Sequence, residues 1–417
     1  MSISNLRNGG AGSGPQCWTA PDGTEYTVVI MNDWNALACR RAPGQAWETF
    51  DLSTISGNPL GLPVGSGDAH NRLAICRDSS GYIHIVGNTH GEQVMHYIKS
   101  NQPDSIAGGF SSAAGLIDLT PSFEGVDPAN AVRGTYDTFL PFTNGVIAWL
   151  RGQRDQQSVL GRDSVCYVLK PGETNWQPWD GVGDLIKCDN TENNGDPERA
   201  YCHAVTVHND TLWVSGVWQW DAVESGEPEV DEGQDTRREP FMIKSDDFST
   251  AIMNNNIPTF TSVSGQTVIM PILEPESKAV TDCTIPNTLD PSLLGGNLGF
   301  DSNDNIHFTE SGYVNGRHHW WDGSAWQQED DSELFVPFIG LVQAKGQLHH
   351  YKTSGGKLKI TNLETNDFFY LGYDVPGNFS PLPDPIALSN GVLKFSIPDG
   401  DAPQTYSFGT GTRLKIP

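Results

Sequence analysis

Four side chains in this 417-residue sequence have the chemistry needed for proton transfer beside a bound anion: the imidazoles of His70 and His90, the phenol of Tyr136 and the guanidinium of Arg151. Their spacing makes them a set. In an antiparallel hairpin, facing residues have numbers with a constant total. A turn centred near Ser80 gives a total of 160, which sets His70 opposite His90 with Asn71 and Asn88 beside them. A turn centred between Thr143 and Asn144 gives 287, which sets Tyr136 opposite Arg151. Two such hairpins side by side bring all four groups to one rim. There an arginine can bind a carboxylate bidentately and stabilise the enolate-like charge that develops next to it. A neutral His or an ionised Tyr can take the acidified proton, a neutral Tyr can deliver one to a leaving oxygen, and a nearby Arg favours the phenolate. The set suits β-elimination in a uronic-acid-containing polysaccharide, with Arg151 on the carboxylate and His70 and Tyr136 as base and acid in either order. Tyr201 and Trp218 total 419, the value for a turn between Asn209 and Asp210, so their aromatic faces extend the same groove or pack in the core; the sequence supports both.

The elements that must hold these groups are short strands. Seven times, a turn rich in Asn, Asp and Gly precedes an alternating β-type run, starting at residues 21, 78, 143, 209, 301, 345 and 389. Asn, Asp and Gly tolerate the positive φ of tight hairpin turns, and the β-branched and aromatic residues that follow suit pleated strands. The spacings are 57, 65, 66, 92, 44 and 44 residues, and the shortest fit one four-stranded propeller blade. The expectation is an all-β, seven-bladed β-propeller spanning 1–417 as a single domain, with loop insertions at 224–238 and 258–296. A two-sheet sandwich would also give short strands with frequent turns. No helix-period segment of useful length occurs.

Composition excludes several classes of partner. Asp and Glu number 51 against 25 Lys and Arg, a net charge of −26, which repels nucleic-acid phosphates and anionic lipid surfaces. No apolar run approaches the ~18 residues of a membrane-spanning helix. The first ten residues lack the basic flank and apolar run of a secretory leader. Seven scattered cysteines with no Cys-x-x-Cys pair read as free, buried thiols. Positive charge is local: Arg133, Arg151, Arg154 and Arg162 face only three acids between 133 and 163.

Other constellations read as structural. His318-His319 and His349-His350 are adjacent on strands and point to opposite faces. Cys202 and His208 share a strand face but lie too far apart for one metal. Asp246-Asp247 reads as turn chemistry. Nucleophile-elbow, phosphate-loop, zincin and calcium-loop motifs are missing.

The runs Asp68-Ala69-His70-Asn71, Asp78-Ser79-Ser80-Gly81-Tyr82-Ile83-His84-Ile85 and Gly87-Asn88-Thr89-His90 resemble the BNR-repeat propeller family that includes the seven-bladed ulvan lyases. Thr135-Tyr136-Asp137-Thr138-Phe139, Arg151, Lys244-Ser245-Asp246-Asp247 and the 319–326 segment resemble later parts of that family, so the likeness spans roughly residues 60–330. The resemblance implies that His70 and Tyr136 serve as base and acid, that Arg151 neutralises the uronate and that His90 supports the site, with Asn71, Asn88, Tyr201 and Trp218 as substrate-binding candidates. It implies an anionic, sulfated polysaccharide as partner, an extracellular or virion location and a monomer. The chemistry itself requires no cofactor; some relatives carry structural calcium or zinc, for which the sequence offers no matching ligand positions. Two other readings compete: a non-catalytic glycan-binding propeller on a virion or surface, and a sialidase-type hydrolase, although Ser245–Thr250 lacks the Gly and Trp of a sialidase Asp-box.

Overall fold

The computed structural model describes residues 17–20, 22–30, 35–63, 73–88, 96–112, 133–154, 162–187, 199–220, 236–272, 280, 282–285, 293–312, 317–329, 339–344, 347–354, 357–363, 368–374, 382–383, 393–399 and 402–408. Its strands sort into seven antiparallel sheets that follow one another along the chain. The first sheet is β1 (Cys17–Thr19), β2 (Glu25–Ile30), β3 (Ala36–Arg41) and β4 (Glu48–Asp51); the second is β5 (Leu73–Arg77), β6 (Ile83–Gly87), β7 (Tyr97–Ser100) and β8 (Phe110–Ser112). In the third, β9 (Arg133–Pro141), β10 (Ile147–Arg154), β11 (Arg162–Leu169) and β12 (Gln177–Pro178) are joined by β13 (Asp184–Ile186), which also pairs with β11. The fourth is β14 (Arg199–His208), β15 (Thr211–Trp220) and β16 (Thr236–Ser245). The fifth is β17 (Leu293–Phe300), β18 (Ile306–Gly312), β19 (Arg317–Trp321) and β20 (Trp326–Glu329). The sixth is β21 (Ile339–Ala344), β22 (Gln347–Ser354), β23 (Lys357–Asn362) and β24 (Phe368–Asp374), and the last is β25 (Leu382–Pro383), β26 (Leu393–Asp399) and β27 (Ala402–Phe408). Five of the anticipated turns lie between the first two strands of a sheet, and those at 345–346 and 389–391 lie outside the described residues. The described α-helix is a single six-residue piece, α1 (Phe248–Met253).

Both faces of the inner strands are apolar, which forces sheets to cover one another. On β5, Leu73 and Ile75 pack toward the first sheet while Ala74 and Cys76 pack toward the third. On β10, Ile147 and Trp149 pack toward the second sheet while Ala148 and Leu150 pack toward the fourth. This is the period-2 rule applied to a strand with no solvent face. First strands touch in succession, β5 against β9, β14 against β17 and β17 against β21, which is the arrangement of a β-propeller. Cys39, Cys76, Cys166 and Cys283 are buried, as anticipated.

The turns also grip one another. The Thr143 N–H donates to Asp210 Oδ1 at 2.8 Å and its hydroxyl to Asp210 Oδ2, tying the third sheet's turn to the fourth's. His208 Nε2 reaches Asp304 Oδ1 at 2.8 Å, tying the fourth to the fifth, while its ring stacks on Phe300 at 3.8 Å. At Gly81, φ is +91° and an added Cβ would stand 2.8 Å from Asp104 Oδ2, so only glycine closes that turn without strain.

One anticipated insertion is corrected. Residues 258–296 do not simply overhang a rim: Phe260, Val268, Ile272 and Cys283 are buried in the core between the third and fourth sheets. Lys244 and Thr261 exchange backbone hydrogen bonds of 2.8 Å, and Phe241 bridges Thr284, so this irregular segment covers the outer edge of β16. Its end belongs to β17. Similarly, β16 takes residues 236–238 from the other expected loop, and 224–235 lie outside the described residues.

A buried polar chain crosses the second core. Trp176 Nε1–H donates to Tyr97 Oη at 2.9 Å, Tyr97 lies 2.5 Å from His84 Nδ1, and His84 Nε2 lies 3.1 Å from Asp78 Oδ2. The pattern fits a neutral imidazole whose Nε2–H serves an ionised Asp78. Burial pushes the His84 pKa below its ordinary 6.5 despite the carboxylate. Burial would raise Asp78, but the hydrogen bonds from His84 and from the Tyr82 N–H, with the Lys99 charge nearby, outweigh it and hold the carboxyl below 3.8. Below 6.5 the unfolded imidazole gains a proton that the folded one refuses, so stability is lost as pH falls from 6.5 toward the depressed folded value. In urea unfolding between about pH 8 and about pH 5, the wild-type chain is expected to lose more stability than His84→Gln, which starts lower because Asp78 and Tyr97 lose a partner. An equal loss in both chains would contradict this assignment.

Candidate functional site

The second sheet has the anticipated register. Leu73 faces Gly87 and Arg77 faces Ile83, pairs that total 160. His70, Asn71 and His90, which that register would extend to, lie outside the described residues. Asn88 is described and serves the structure. At φ 53° its buried amide donates to the Leu60 and Gly61 carbonyls at 2.9 and 3.0 Å, fastening the preceding loop to the end of β6. Those hydrogen bonds commit the amide that was expected to meet a ligand.

The third sheet carries a β-bulge where the turn arithmetic pairs Tyr136 with Arg151. From Pro141 to Thr138, β9 faces β10 in pairs totalling 288; beyond it, Thr135 faces Gly152 and the total drops to 287. Tyr136 and Asp137 therefore stand together across from Arg151. Bulges re-aim side chains and cluster beside active sites. Arg151 follows Ile147 and Trp149 on the strand face that looks toward the second sheet. It is 4% exposed, with Nε 3.6 Å from Asp137 Oδ1 and the guanidinium carbon 5.8 Å from the centre of the Trp149 ring. Asp137, itself buried, accepts 2.9 Å from Trp149 Nε1. A buried cation so held has its charge compensated and its stem fixed, while Nε has no hydrogen-bond partner among the described residues. Asp137 is the neighbour of Arg151 that pairing arithmetic passes over, because a bulge is invisible to a constant total.

Farther along the same ladder the backbone sets three arginines in a row. Arg154 faces Arg133 on one side and Arg162 on the other.

In the fourth sheet a second bulge moves the expected pair. His208 to Ala204 face β15 in pairs totalling 419, but past His203 the total is 418, so Tyr201 faces Val217 and Trp218 faces Ala200. Trp218 is fully buried, stacked on Phe241 at 4.9 Å in the core between the third and fourth sheets. Of the two roles open to it, core packing is the one it fills, and it lines no groove. Tyr201 is placed by its backbone on β14.

The other singled-out groups are spread through the fold. His318 meets His307, and His319 lies across the strand near Phe308. Asp247 accepts from Ser245 Oγ and from the Thr259 N–H, which is the turn chemistry expected of it. No three His, Cys, Asp or Glu side chains among the described residues gather closely enough to hold a metal ion.

Among solved structures, this fold is similar to a PL25 ulvan lyase, with a TM-score of 0.66 and 15% identity over 98% of this chain and 94% of that chain. It is similar to a PL25 ulvan lyase bound to -[GlcA(1-4)Rha3S]-, at 0.65 and 15% over the same shares. The polysaccharide lyase Uly1 gives 0.63 and 14% over 97% and 91%. At such identities the likeness is one of fold. No curated protein matches the chain in sequence. The sequence does match the BNR repeat-containing family from residue 26 to residue 364, most of its length, and with its repeated turn-and-strand sheets the chain belongs to that family.

Proposed function

We propose that this protein is a polysaccharide lyase that cleaves an acidic, uronate-containing and sulfated polymer of the ulvan type by β-elimination. The observation that carries the reading is Arg151, buried across a bulge from Tyr136 and charge-compensated by Asp137. The arginine row at 133, 154 and 162 supports a substrate with several negative charges, and a ligand-bound relative in fold holds a glucuronate–rhamnose-sulfate unit. In the proposed reaction Arg151 binds the uronate carboxylate and stabilises the charge that appears when the adjacent C5–H is removed. One of His70 and Tyr136 takes that proton. The electron pair forms the C4–C5 double bond, the C4–O bond breaks, and the other residue protonates the departing oxygen. His90 assists the pair. The atoms balance without a cofactor, and a substrate of this kind supports a location outside the cell or on a virion.

Incubation with ulvan should yield products that absorb in the near ultraviolet through the new conjugated double bond. Binding of the polymer without any such product would favour a glycan-binding propeller, and release of saturated sugars would favour a hydrolase. Arg151→Ala should lower kcat/KM by about 10²–10³-fold or more. Arg151→Lys, which keeps the charge and loses the fork, should fold normally and remain strongly impaired; wild-type rates in both would remove Arg151 from the mechanism. Asp137→Ala leaves a buried, uncompensated guanidinium, so urea unfolding should show a loss of about 3–5 kcal/mol, whereas a loss below ~1 kcal/mol would mean that the pair is not a buried ion pair in solution.

A further inference from the structure

A cavity of about 390 Å³ lies at the opposite end of the fifth sheet from the bulges, where it meets the sixth. Asp301 and Asn305 come from the β17–β18 turn, Asp322 from the β19–β20 turn, His307 and His318 from the strands between them, and Leu363 from the end of β23. Its size is within the range of small-molecule sites, ~300–1,000 Å³. Trp320 supplies a partly buried aromatic wall, facing His307 across the ladder and 5.4 Å from His318 between ring centres.

The polar lining is rigid. Asp301 Oδ1 accepts the Asn303 and Asn305 N–H groups at 2.8 Å, and Oδ2 accepts Asn305 Nδ2 at 2.8 Å with His307 Nε2 at 3.6 Å. Asp322 accepts three donors from Ser324 and Ala325 on one oxygen and Gln327 Nε2 on the other. His307 Nδ1 and His318 Nε2 are 2.8 Å apart with ring planes 9° from parallel, an in-plane imidazole pair sharing one proton. Both carboxylates are held ionised: burial of Asp301 is outweighed by its hydrogen bonds, and Asp322 is lowered chiefly by the Ala325 N–H. Among the described residues the lining carries two fixed anions and no Lys or Arg, so it disfavours a carboxylate or sulfate group. It offers an aromatic face and preset hydrogen-bond acceptors, which together suit a ring with C–H groups on its face and O–H donors on its rim.

We propose that the cavity walled by Trp320 between Asp301 and Asp322 is a second binding site, for an uncharged sugar unit. It is separated from the Arg151 end by the length of the sheet and does not depend on the β-elimination reading. On a polymer that mixes charged and neutral residues, it would anchor a stretch that the Arg151 end does not hold.

The test uses the full chain with ¹⁵N-labelled tryptophan side chains, titrated with L-rhamnose, D-xylose and D-glucuronate as probes. The Trp320 indole resonance should shift saturably with a neutral sugar, move less with glucuronate, and respond unchanged in Arg151→Lys, while the buried Trp149 resonance stays still. Trp320→Phe should retain binding within a few-fold, and Trp320→Ala should weaken it about tenfold or more, about 1.4 kcal/mol. The proposal is overturned if no neutral probe shifts Trp320 saturably, if glucuronate is the better ligand there, or if folded Trp320→Ala binds as the wild type does. The wild-type titration decides the matter even if Trp320→Ala does not fold.

Discussion

The constraint on which the structure depends is that its inner strands have no solvent face. A strand whose odd and even residues are both apolar, as on β5 and β10, must lie between two other sheets. The second, third and fourth sheets are then each a wall of two cores, and their polar residues collect at the ends of the strands. One end is closed by tight turns that hydrogen-bond from sheet to sheet through Thr143, Asp210, His208 and Asp304. The other end is loosened by bulges in β9, β14 and β17, where the ladder gains a residue and the side chains are turned out of register. Stiffness at the turn end and irregularity at the far end divide the molecule into a part that fixes geometry and a part available for chemistry.

Charge follows the same division. Asp78 and Asp137 are buried, and each serves a specific group. Asp78 holds one nitrogen of a neutral His84 and completes a chain through Tyr97 to Trp176. Asp137 holds Trp149 and faces Arg151. Trp149 and Tyr97 stack at 5.8 Å, so the structural chain and the candidate site share one aromatic core. Burying an arginine is expensive even when it is paired. The expense is understandable if a carboxylate is to be bound where water cannot compete, since a desolvated guanidinium binds an anion far more strongly than a hydrated one does.

Much of this is legible in the sequence. The seven turns are local chemistry, set by Asn, Asp and Gly, and they fix where each sheet begins. The constant-total rule yields the correct register for the second sheet and for the β9–β10 ladder beyond its bulge. It fails where one extra residue enters a strand, at Asp137 and at His203, because a bulge is decided by what the strand packs against and leaves no trace in alternation. Trp218 shows the cost: a shift of one changes its partner, and its face is the core. The 258–285 segment escapes sequence reading for a related reason. Phe260, Val268 and Ile272 have no β or helical period, so nothing in the sequence marks them as core residues; only the uncovered edge of β16 does.

The Asp-turn with a histidine six residues later occurs twice, as Asp78 to His84 and as Asp301 to His307, and the two copies show how one local motif takes different roles. In both, the aspartate caps its turn by accepting backbone N–H groups, and the histidine returns along the next strand toward the same carboxylate. In the second sheet the imidazole meets a tyrosine under a cover of Trp176 and Trp149 and is sealed. In the fifth it meets a second imidazole beside a cavity. The backbone is the same in both; the residue on the third strand, Tyr97 or His318, and the bulk supplied by the neighbouring sheet decide whether the polar pair becomes a buried strut or the wall of an open site. Function in this fold is therefore settled by what the next sheet leaves uncovered, which is a property of the stacking and of no single repeat.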